Sequence, residues 1–174
     1  DGASGIKKYE YAVDTSATNI NGLVVPWTSA GTDTSITIDS LTLEEGKTYY
    51  ISVRATDKLN NVSSVVTSDG VKLDVPAPAT GSVVVGTDTH LMWTKDTTSV
   101  TATWTGFSDG GSGIKEYEVM LRDETTEADE AQWVVVSGAL THAFTGLDLD
   151  NNSKYFIKVR ATDKVGNISS EVSS

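Results

Sequence analysis

The sequence predicts an all-β protein made of two tandem sandwiches, the first of them incomplete. One observation is an internal copy, because residues 49–64 (YYISVRATDKLNNVSS) and 155–170 (YFIKVRATDKVGNISS) are identical at 11 of 16 positions. A second is that apolar residues occupy every other position of both copies, as in a strand with one buried face. A third is that runs rich in Val, Ile, Thr and Tyr alternate with turns rich in Gly, Asp and Asn, which is typical of a β-sandwich.

The composition limits the kinds of molecule that the protein is expected to bind. The chain has 174 residues with 24 acidic and 13 basic side chains, a net charge of −11, and no cysteine. So acidic a surface repels phosphate groups, which argues against nucleic-acid binding, and no apolar run is long enough to insert into a membrane. The absence of cysteine excludes disulfides and thiolate metal sites. Because residue 1 is Asp rather than Met, we expect a processed or excised piece of a longer extracellular protein.

The second copy can be followed strand by strand. We expect it to begin with a broken first strand at residues 81–87 and 90–95, and the acidic stretch 122–132 is interpreted as a loop. The other expected strands are residues 99–104, 114–122, 132–137, 141–147, 155–162 and a last one from residue 168 that stops at Ser174. By alternation, the side chains facing the core should be Val100, Ala102, Trp104, Tyr117, Val119 and Leu121.

The first copy lacks its two N-terminal strands, because residues 1–13 (DGASGIKKYEYAV) match residues 109–121 of the second copy. Its expected strands are residues 6–14, 23–28, 35–41, 48–56 and 62–75, the last with a turn at Asp69 and Gly70. The segment between the copies carries two of the three prolines and is interpreted as a stiff linker. The domains expected are therefore residues 1–75, a linker at 76–80, and residues 81–174.

Several of these residues together resemble a fibronectin type III domain. They are Trp104, the Gly-Ile-x-x-Tyr step from Gly113 to Tyr117, Leu149 six residues before Tyr155, and the Tyr-x-Ile-x-Val-x-Ala strand. Leu43 and Tyr49 repeat the same spacing in the first copy. The form of the motifs is similar to repeats of large bacterial or archaeal extracellular proteins, including immunoglobulin-like ones. The resemblance implies tandem seven-stranded sandwiches, the first keeping only strands C to G, and a tyrosine corner at Tyr49 and Tyr155.

The missing strands of the first copy admit two explanations. A sandwich without two of its strands would expose core side chains and an unpaired sheet edge. The sequence can cover only part of a longer repeat array, or a neighbouring chain can supply the strands, as in donor-strand fibres.

No set of catalytic residues is visible, and we expect a non-enzyme. The two histidines, His90 and His142, lack the motif context of a general base. His142 is interpreted as a half-buried strand residue and His90 as a solvated turn residue.

Calcium is the one ligand for which the implied topology brings candidates together, although no cofactor is expected to be required. The turns at Asp109 and at 163–167 should share the end of the second sandwich that faces the preceding domain, and carboxylate oxygens are ligands that calcium prefers. Alternatively, Asp163 and Asn167 only cap their own turn, as Asp57 and Asn61 would in the first copy. The candidate ligands are Glu44, Glu45, Asp74, Asp109, Asp163 and Asn167.

Repeated aromatic residues and sequons complete the candidates. Trp27 and Trp133 align between the copies and are interpreted as packing residues, with sugar stacking as the alternative. Glycosylation sequons begin at Asn61, Asn151 and Asn167.

These features favour a non-catalytic structural or adhesive module of an extracellular surface, sheath or filament protein. The alternatives are an accessory or glycan-binding module of a secreted polysaccharide-degrading enzyme, and a donor-strand-complemented fibre subunit. The partners expected are neighbouring repeats or chains of the same protein, glycans, or cell-surface proteins.

Overall fold

The computed structural model describes residues 4–21, 24–86 and 93–174. The chain divides into two compact units, Asp1–Asp74 and Val75–Ser174, which are called the first and second unit below. All regular structure in the described ranges is β-strand, which confirms the predicted all-β class. No helix with the length and apolar character of a membrane span occurs in those ranges.

The first unit contains one antiparallel sheet. Its strands run in the order β2-β1-β3-β4, and β5 also pairs with β3. The strands are β1 (Ile6–Asp14), β2 (Val25–Gly31), β3 (Thr48–Asp57), β4 (Val66–Thr67) and β5 (Val71–Lys72).

The second unit contains two antiparallel sheets. One has the order β10-β7-β6 and the other has the order β12-β11-β8-β9. The strands are β6 (Ser82–Val85), β7 (Ser99–Thr105), β8 (Ile114–Asp123), β9 (Asp129–Val136), β10 (Thr141–Thr145), β11 (Tyr155–Asp163) and β12 (Val172–Ser173).

The core of the second unit consists of side chains from both of its sheets. Trp104 on β7 is 1% exposed, and its ring lies 5.5 Å from the ring of Tyr117 on β8, measured between centroids. The predicted inward residues all belong to this core or pack against it. Burial of so many apolar groups is the main stabilising contribution to the unit. The buried members are Val83, Ala102, Trp104, Val119, Leu121, Phe144, Leu149, Ile157 and Val159.

The equivalent face of the first sheet is partly exposed in the part of the unit that the structure describes. Ile51 pairs with Val13 across β3 and β1, in the same register as Ile157 with Leu121 across β11 and β8. Ile51 is nevertheless 42% exposed, whereas Ile157 is 0% exposed. Val53 shows the same contrast, because it is 39% exposed and its counterpart on β11 is fully buried. One strand sequence therefore serves as core in one unit and as surface in the other.

The predicted strand at residues 35–41 was wrong. The segment forms no ladder in the structure, although its counterpart in the second unit is β10. Strand β10 exists through its pairing with β7, with Ala143 opposite Thr101. Because the described part of the first unit has no strand equivalent to β7, residues 35–41 have nothing to pair with, and alternation alone does not make a strand.

Several predicted boundaries also differ. Strand β8 ends at Asp123 and β9 begins at Asp129, so the predicted loop 122–132 is shortened to residues 124–128. In this turn Asp123 Oδ1 accepts the backbone N–H of Thr125 at 2.6 Å. Residues 62–75 form only the short β4 and β5, and Gly70 between them has φ 93°. The last predicted strand reduces to β12, preceded by an isolated bridge at residue 168. The expectations for residues 22–23 and 87–92, including His90, fall outside the described ranges.

A close backbone approach at Gly81 leads to a testable expectation for the second unit. A methyl group added there would overlap Thr105 O and lie 2.6 Å from Phe107 N, and neither backbone atom can move freely. We expect Gly81→Ala to reduce the free energy of unfolding of the second unit by about 1–3 kcal/mol. Chemical denaturation followed by circular dichroism measures the loss. Gly110→Ala is the control, because nothing lies within 4 Å of its added methyl group. Equal unfolding midpoints for the two variants would contradict the expectation.

Candidate functional site

The turn that follows β11 is held by one buried carboxylate. Asp163 Oδ1 accepts the backbone N–H groups of Val165, Gly166 and Asn167 at 2.9, 2.7 and 2.8 Å. Its Oδ2 accepts a hydrogen bond from Asn167 Nδ2 at 2.8 Å, and the same amide nitrogen reaches Pro76 O at 3.4 Å. The side chain therefore organises its own turn, as the capping interpretation predicts.

These contacts determine the acidity of the Asp163 carboxyl. Burial alone raises the pKa of the group, but the hydrogen bonds from the Asn167 side chain and from three backbone N–H groups outweigh burial. The net result is a pKa below the ordinary value for Asp. The carboxylate is thus ionised at neutral pH despite being buried.

The first unit repeats this turn after β3. Asp57 Oδ1 accepts the backbone N–H groups of Leu59 and Asn61, both at 2.8 Å, and Oδ2 accepts Asn61 Nδ2 at 2.8 Å. Ser4 Oγ adds a hydrogen bond to Oδ2 at 3.0 Å. The Asn61 side chain is the largest of the contacts that lower the pKa of Asp57. Where the second unit has Gly166, this turn has Asn60 at φ 68°, a conformation that Asn tolerates better than most residues.

Two of the proposed calcium ligands meet within the second unit. Carboxylate oxygens of Asp109 and Asp163 lie within 4.8 Å of each other. Asp109 Oδ2 also accepts the backbone N–H groups of Gly111 and Gly113 at 3.2 and 2.5 Å. Both carboxylates therefore already accept hydrogen bonds within their own turns.

Calcium binding stays a prediction, and calorimetric titration with calcium after chelator treatment tests it. Heat of binding that is abolished by Asp109→Asn would support the site, and the absence of any heat would contradict it.

Of the other proposed ligands, Asn167 donates to Asp163 in the second unit, and three lie in the first unit, on the turn before β3 and at the end of the unit. Lys47 Nζ lies 2.7 Å from Glu44 Oε1, so Glu44 has a cationic neighbour. Glu45 is exposed beside it and Asp74 is half-buried.

Each unit has a tyrosine hydrogen-bonded to the turn before its strand. Tyr49 Oη accepts the backbone N–H of Glu44 at 2.6 Å, and Tyr155 Oη accepts that of Asp150 at 2.8 Å. Tyr49 is 3% exposed and Leu149 is 7% exposed, while Leu43 is half-buried. In each unit this hydrogen bond holds the loop before the central strand to the sheet, and the turn after that strand contains Asp57 in the first unit and Asp163 in the second.

The outward face of each sheet carries a glutamate, an arginine and a tryptophan. In the second unit, Arg160 Nε lies 2.8 Å from Glu118 Oε2, and its guanidinium lies 4.4 Å from the centre of the Trp133 ring. The hydrogen bond to Glu118 raises the pKa of Arg160 above its ordinary value. The glutamate therefore orients the cation over the ring.

The first unit has the same three groups in the same order. Arg54 Nε lies 3.2 Å from Glu10 Oε2, and the guanidinium lies 4.3 Å from the centre of the Trp27 ring. The repeat aligns the two tryptophans, but their arginine and glutamate partners were not predicted from the sequence. The signal was present, because all three residue types recur on equivalent strands. In both units one side of the indole is stacked with a guanidinium, which agrees with the packing interpretation.

The described residues assemble no catalytic set around the remaining histidine. His142 is half-buried on β10, and its ring meets the ring of Phe144 edge-on at 4.8 Å. A cavity of about 240 Å³ lies in the first unit, and its lining contains no histidine. It is lined by Tyr9, Asp33, Thr34, Ser35, Ile36 and Val53.

Two of the three sequon asparagines close turns through side-chain hydrogen bonds. The side-chain nitrogens of Asn61 and Asn167 donate to Asp57 and Asp163, so a glycan on either would displace a hydrogen bond that closes the turn. Asn151 lies exposed in the turn before β11. Glycosylation stays a prediction at all three.

Comparison with known proteins adds one sequence relative. The chain matches no family model. Over 187 aligned positions it is 30% identical to Exoglucanase B of Cellulomonas fimi. The similarity covers 91% of this chain, which spans 16% of the length of that protein.

Solved structures provide the decisive comparison for the fold. Domains A168–A170 from titin match with a TM-score of 0.52 and 19% identity, over 95% of this chain and 52% of that one. The fold is that of fibronectin type III and immunoglobulin-like domains. The chicken CNTN1 FN1–FN3 domains match with a TM-score of 0.48 and 18% identity, over 96% of this chain and 54% of theirs. The chain thus spans about half the length of each.

The Asp163 turn of this fibronectin-like fold should respond to acid. Because its folded-state pKa is lowered, its stabilisation is fully present above the unfolded pKa of about 4 and is lost as the pH falls through the folded pKa. We expect the wild type to melt at a higher temperature than Asp163→Asn at neutral pH, with the difference shrinking on acidification. Thermal denaturation across the acid range measures it.

The control for this experiment is Asp148→Asn, which changes an exposed carboxyl of the same unit. It should leave the melting temperature nearly unchanged at every pH. A difference between wild type and Asp163→Asn that is independent of pH would contradict the role assigned to the ionised carboxylate.

Proposed function

We propose that this chain is a non-catalytic accessory module of a secreted polysaccharide-degrading enzyme, where it separates or positions other domains. The observation that carries the proposal is the 30% identity to Exoglucanase B across 91% of the chain. Since the chain corresponds to 16% of that protein, the similarity concerns a part of an exoglucanase and does not transfer its activity. An extracellular location follows from the same proposal.

The geometry supports a module that acts through its folded shape. In both units the outward tryptophans are stacked with arginines, which are in turn paired with glutamates, so these polar groups satisfy one another. The Asp57 and Asp163 carboxylates accept hydrogen bonds from the backbone of their own turns and have lowered pKa values. A carboxylic acid that donates a proton to a glycosidic oxygen needs a raised pKa instead.

The sequence also favours a structural or adhesive module of a surface, sheath or filament protein, and this reading stays a prediction. A glycan-binding role is a further alternative within the accessory class. It requires an aromatic ring that is open to a sugar, whereas Trp27 and Trp133 each have a guanidinium over one side of the ring.

An insertion experiment tests the proposed role. The chain would be placed between a cellulase catalytic domain and a cellulose-binding domain, and compared with a flexible glycine-serine linker of equal length. We expect the inserted chain to raise activity on insoluble cellulose relative to the flexible linker, because folded units keep the two domains apart. Activity on a soluble oligosaccharide should be the same for both fusions. Release of reducing sugar gives both rates.

The isolated chain serves as the control. We expect it to release no sugar from cellulose and to remain in solution when mixed with the insoluble polymer. Equal activities of the two fusions on insoluble cellulose would contradict the spacer role. Retention of the isolated chain on cellulose, abolished by Trp133→Ala, would favour the glycan-binding alternative instead.

A further inference from the structure

Strand β9 forms one edge of the larger sheet of the second unit. Among the described strands it pairs with β8 alone, which leaves one side of its backbone open. Val134 and Val135 are 36% and 56% exposed, and the run 133–136 (WVVV) contains no charged residue and no proline. An open apolar edge of this kind can pair with a strand of another chain.

The pairing pattern determines which backbone groups of β9 face the open side. Ser174 N donates to Ile157 O, so the backbone groups of the odd-numbered residues of β11 point toward β12. By alternation, the even-numbered residues of β11 bond to β8, and the odd-numbered residues of β8, including Val119, bond to β9. Val119 lies opposite Val134, so the N–H and C=O of Val134 point to β8 and those of Val135 point to the open side.

The equivalent edge of the first unit is protected. Where β9 has Val134 and Val135, the repeat places Thr28 and Ser29 of β2, and Pro26 precedes them. Thr28 Oγ1 donates to Pro26 O at 2.8 Å, and Ser29 Oγ accepts a hydrogen bond from a backbone N–H of the same strand at 3.2 Å. Proline and polar side chains on an edge oppose pairing with another strand. The run 133–136 has neither.

The charges on β9 favour a second copy of the same strand as its partner. Asp129 and Glu130 lie exposed at the start of the strand, and the chain has a net charge of −11. A parallel pair would place these acidic starts side by side. An antiparallel pair centred on Val135 brings Val134 opposite Val136 of the other copy, and the acidic start of each strand lies beyond the end of the other. The apolar run is therefore complementary to itself in the antiparallel direction.

We propose that β9 pairs antiparallel with β9 of a second copy of this chain, about a two-fold axis at Val135. The N–H and C=O of Val135 bond to those of its counterpart, and the sheets of the two copies become continuous. Because the same surface is used on both copies, the contact closes at a dimer. The paired run is short, so we expect a weak dimer with a dissociation constant between about 10 µM and 1 mM. The inference does not depend on the proposed accessory role.

Sedimentation equilibrium of the whole chain tests the dimer. We expect the wild type to shift from monomer to dimer across that concentration range. Added salt should strengthen the dimer, because it screens the repulsion between two chains that each carry a net charge of −11.

Matched variants locate the contact. Val135→Lys should raise the dissociation constant at least about tenfold, because two like charges would face each other at the axis. Val165→Lys is the control, since Val165 is 58% exposed in the turn after β11 and the change in charge is the same. It should dimerise as the wild type does. The double variant Val134→Thr, Val135→Ser copies the edge with which the first unit folds, and it should also weaken the dimer if Val135→Lys fails to fold.

A cysteine cross-link tests the register. The chain has no cysteine, so Val135→Cys introduces a single thiol per chain. Opposed residues of a hydrogen-bonded antiparallel pair have Cα atoms about 5.5 Å apart, which a disulfide can span. Mild oxidation should therefore join two copies of Val135→Cys. Ser29→Cys is the control, because it lies at the equivalent position of the protected edge and should cross-link much more slowly.

Three results would overturn the inference. One is a wild-type chain that stays monomeric up to about 1 mM. Another is a dimer whose dissociation constant is changed by neither edge variant, because the copies would then meet through a different surface. The third is cross-linking of Ser29→Cys as fast as that of Val135→Cys, since the disulfide would then report random collision.

Discussion

A sheet with one apolar face needs a second layer, and this requirement governs the whole structure. In the second unit, β6, β7 and β10 provide that layer, and the shared core includes Trp104, Ile157 and Val159. In the first unit the same strand sequence pairs within one sheet and has no covering sheet among the described residues, and Ile51 and Val53 are exposed. The contrast separates what a strand's own sequence decides, which is alternation and register, from what only a partner sheet decides, which is burial.

Contacts that recur in both units stabilise each sheet independently of a covering layer. Asp57 and Asp163 close the turns that follow the central strands, and Tyr49 and Tyr155 hold the loops that precede them. On the outward faces, paired arginines lie over tryptophans. None of these contacts requires the covering layer, which explains why the first sheet keeps its register although its inward face is exposed.

The sequence was sufficient to predict the features that are local or repeated. Alternation identified Val119 and Leu121 as core residues, and copying identified the equivalent strands of the first unit. The sequence was insufficient to predict the structure of residues 35–41. Their alternation is that of a strand, but no pairing partner occurs among the described strands of the unit. The stacks of Arg54 and Arg160 on tryptophan were missed because the partners are adjacent only after β-pairing sets the register. Whether a stretch such as 122–132 forms a loop or continues two strands depends equally on tertiary pairing.

Amide hydrogen exchange in the two copied strands tests the central claim most directly. Residues 51–55 and 157–161 have nearly the same sequence and pair with equivalent strands, β1 and β8. Only the second set lies beneath a covering sheet in the described structure. We expect the first set to exchange faster by at least about tenfold, because fewer buried contacts oppose opening of its sheet. Equal protection of the two sets would contradict it, since the covering layer would then contribute nothing to the stability of the strand.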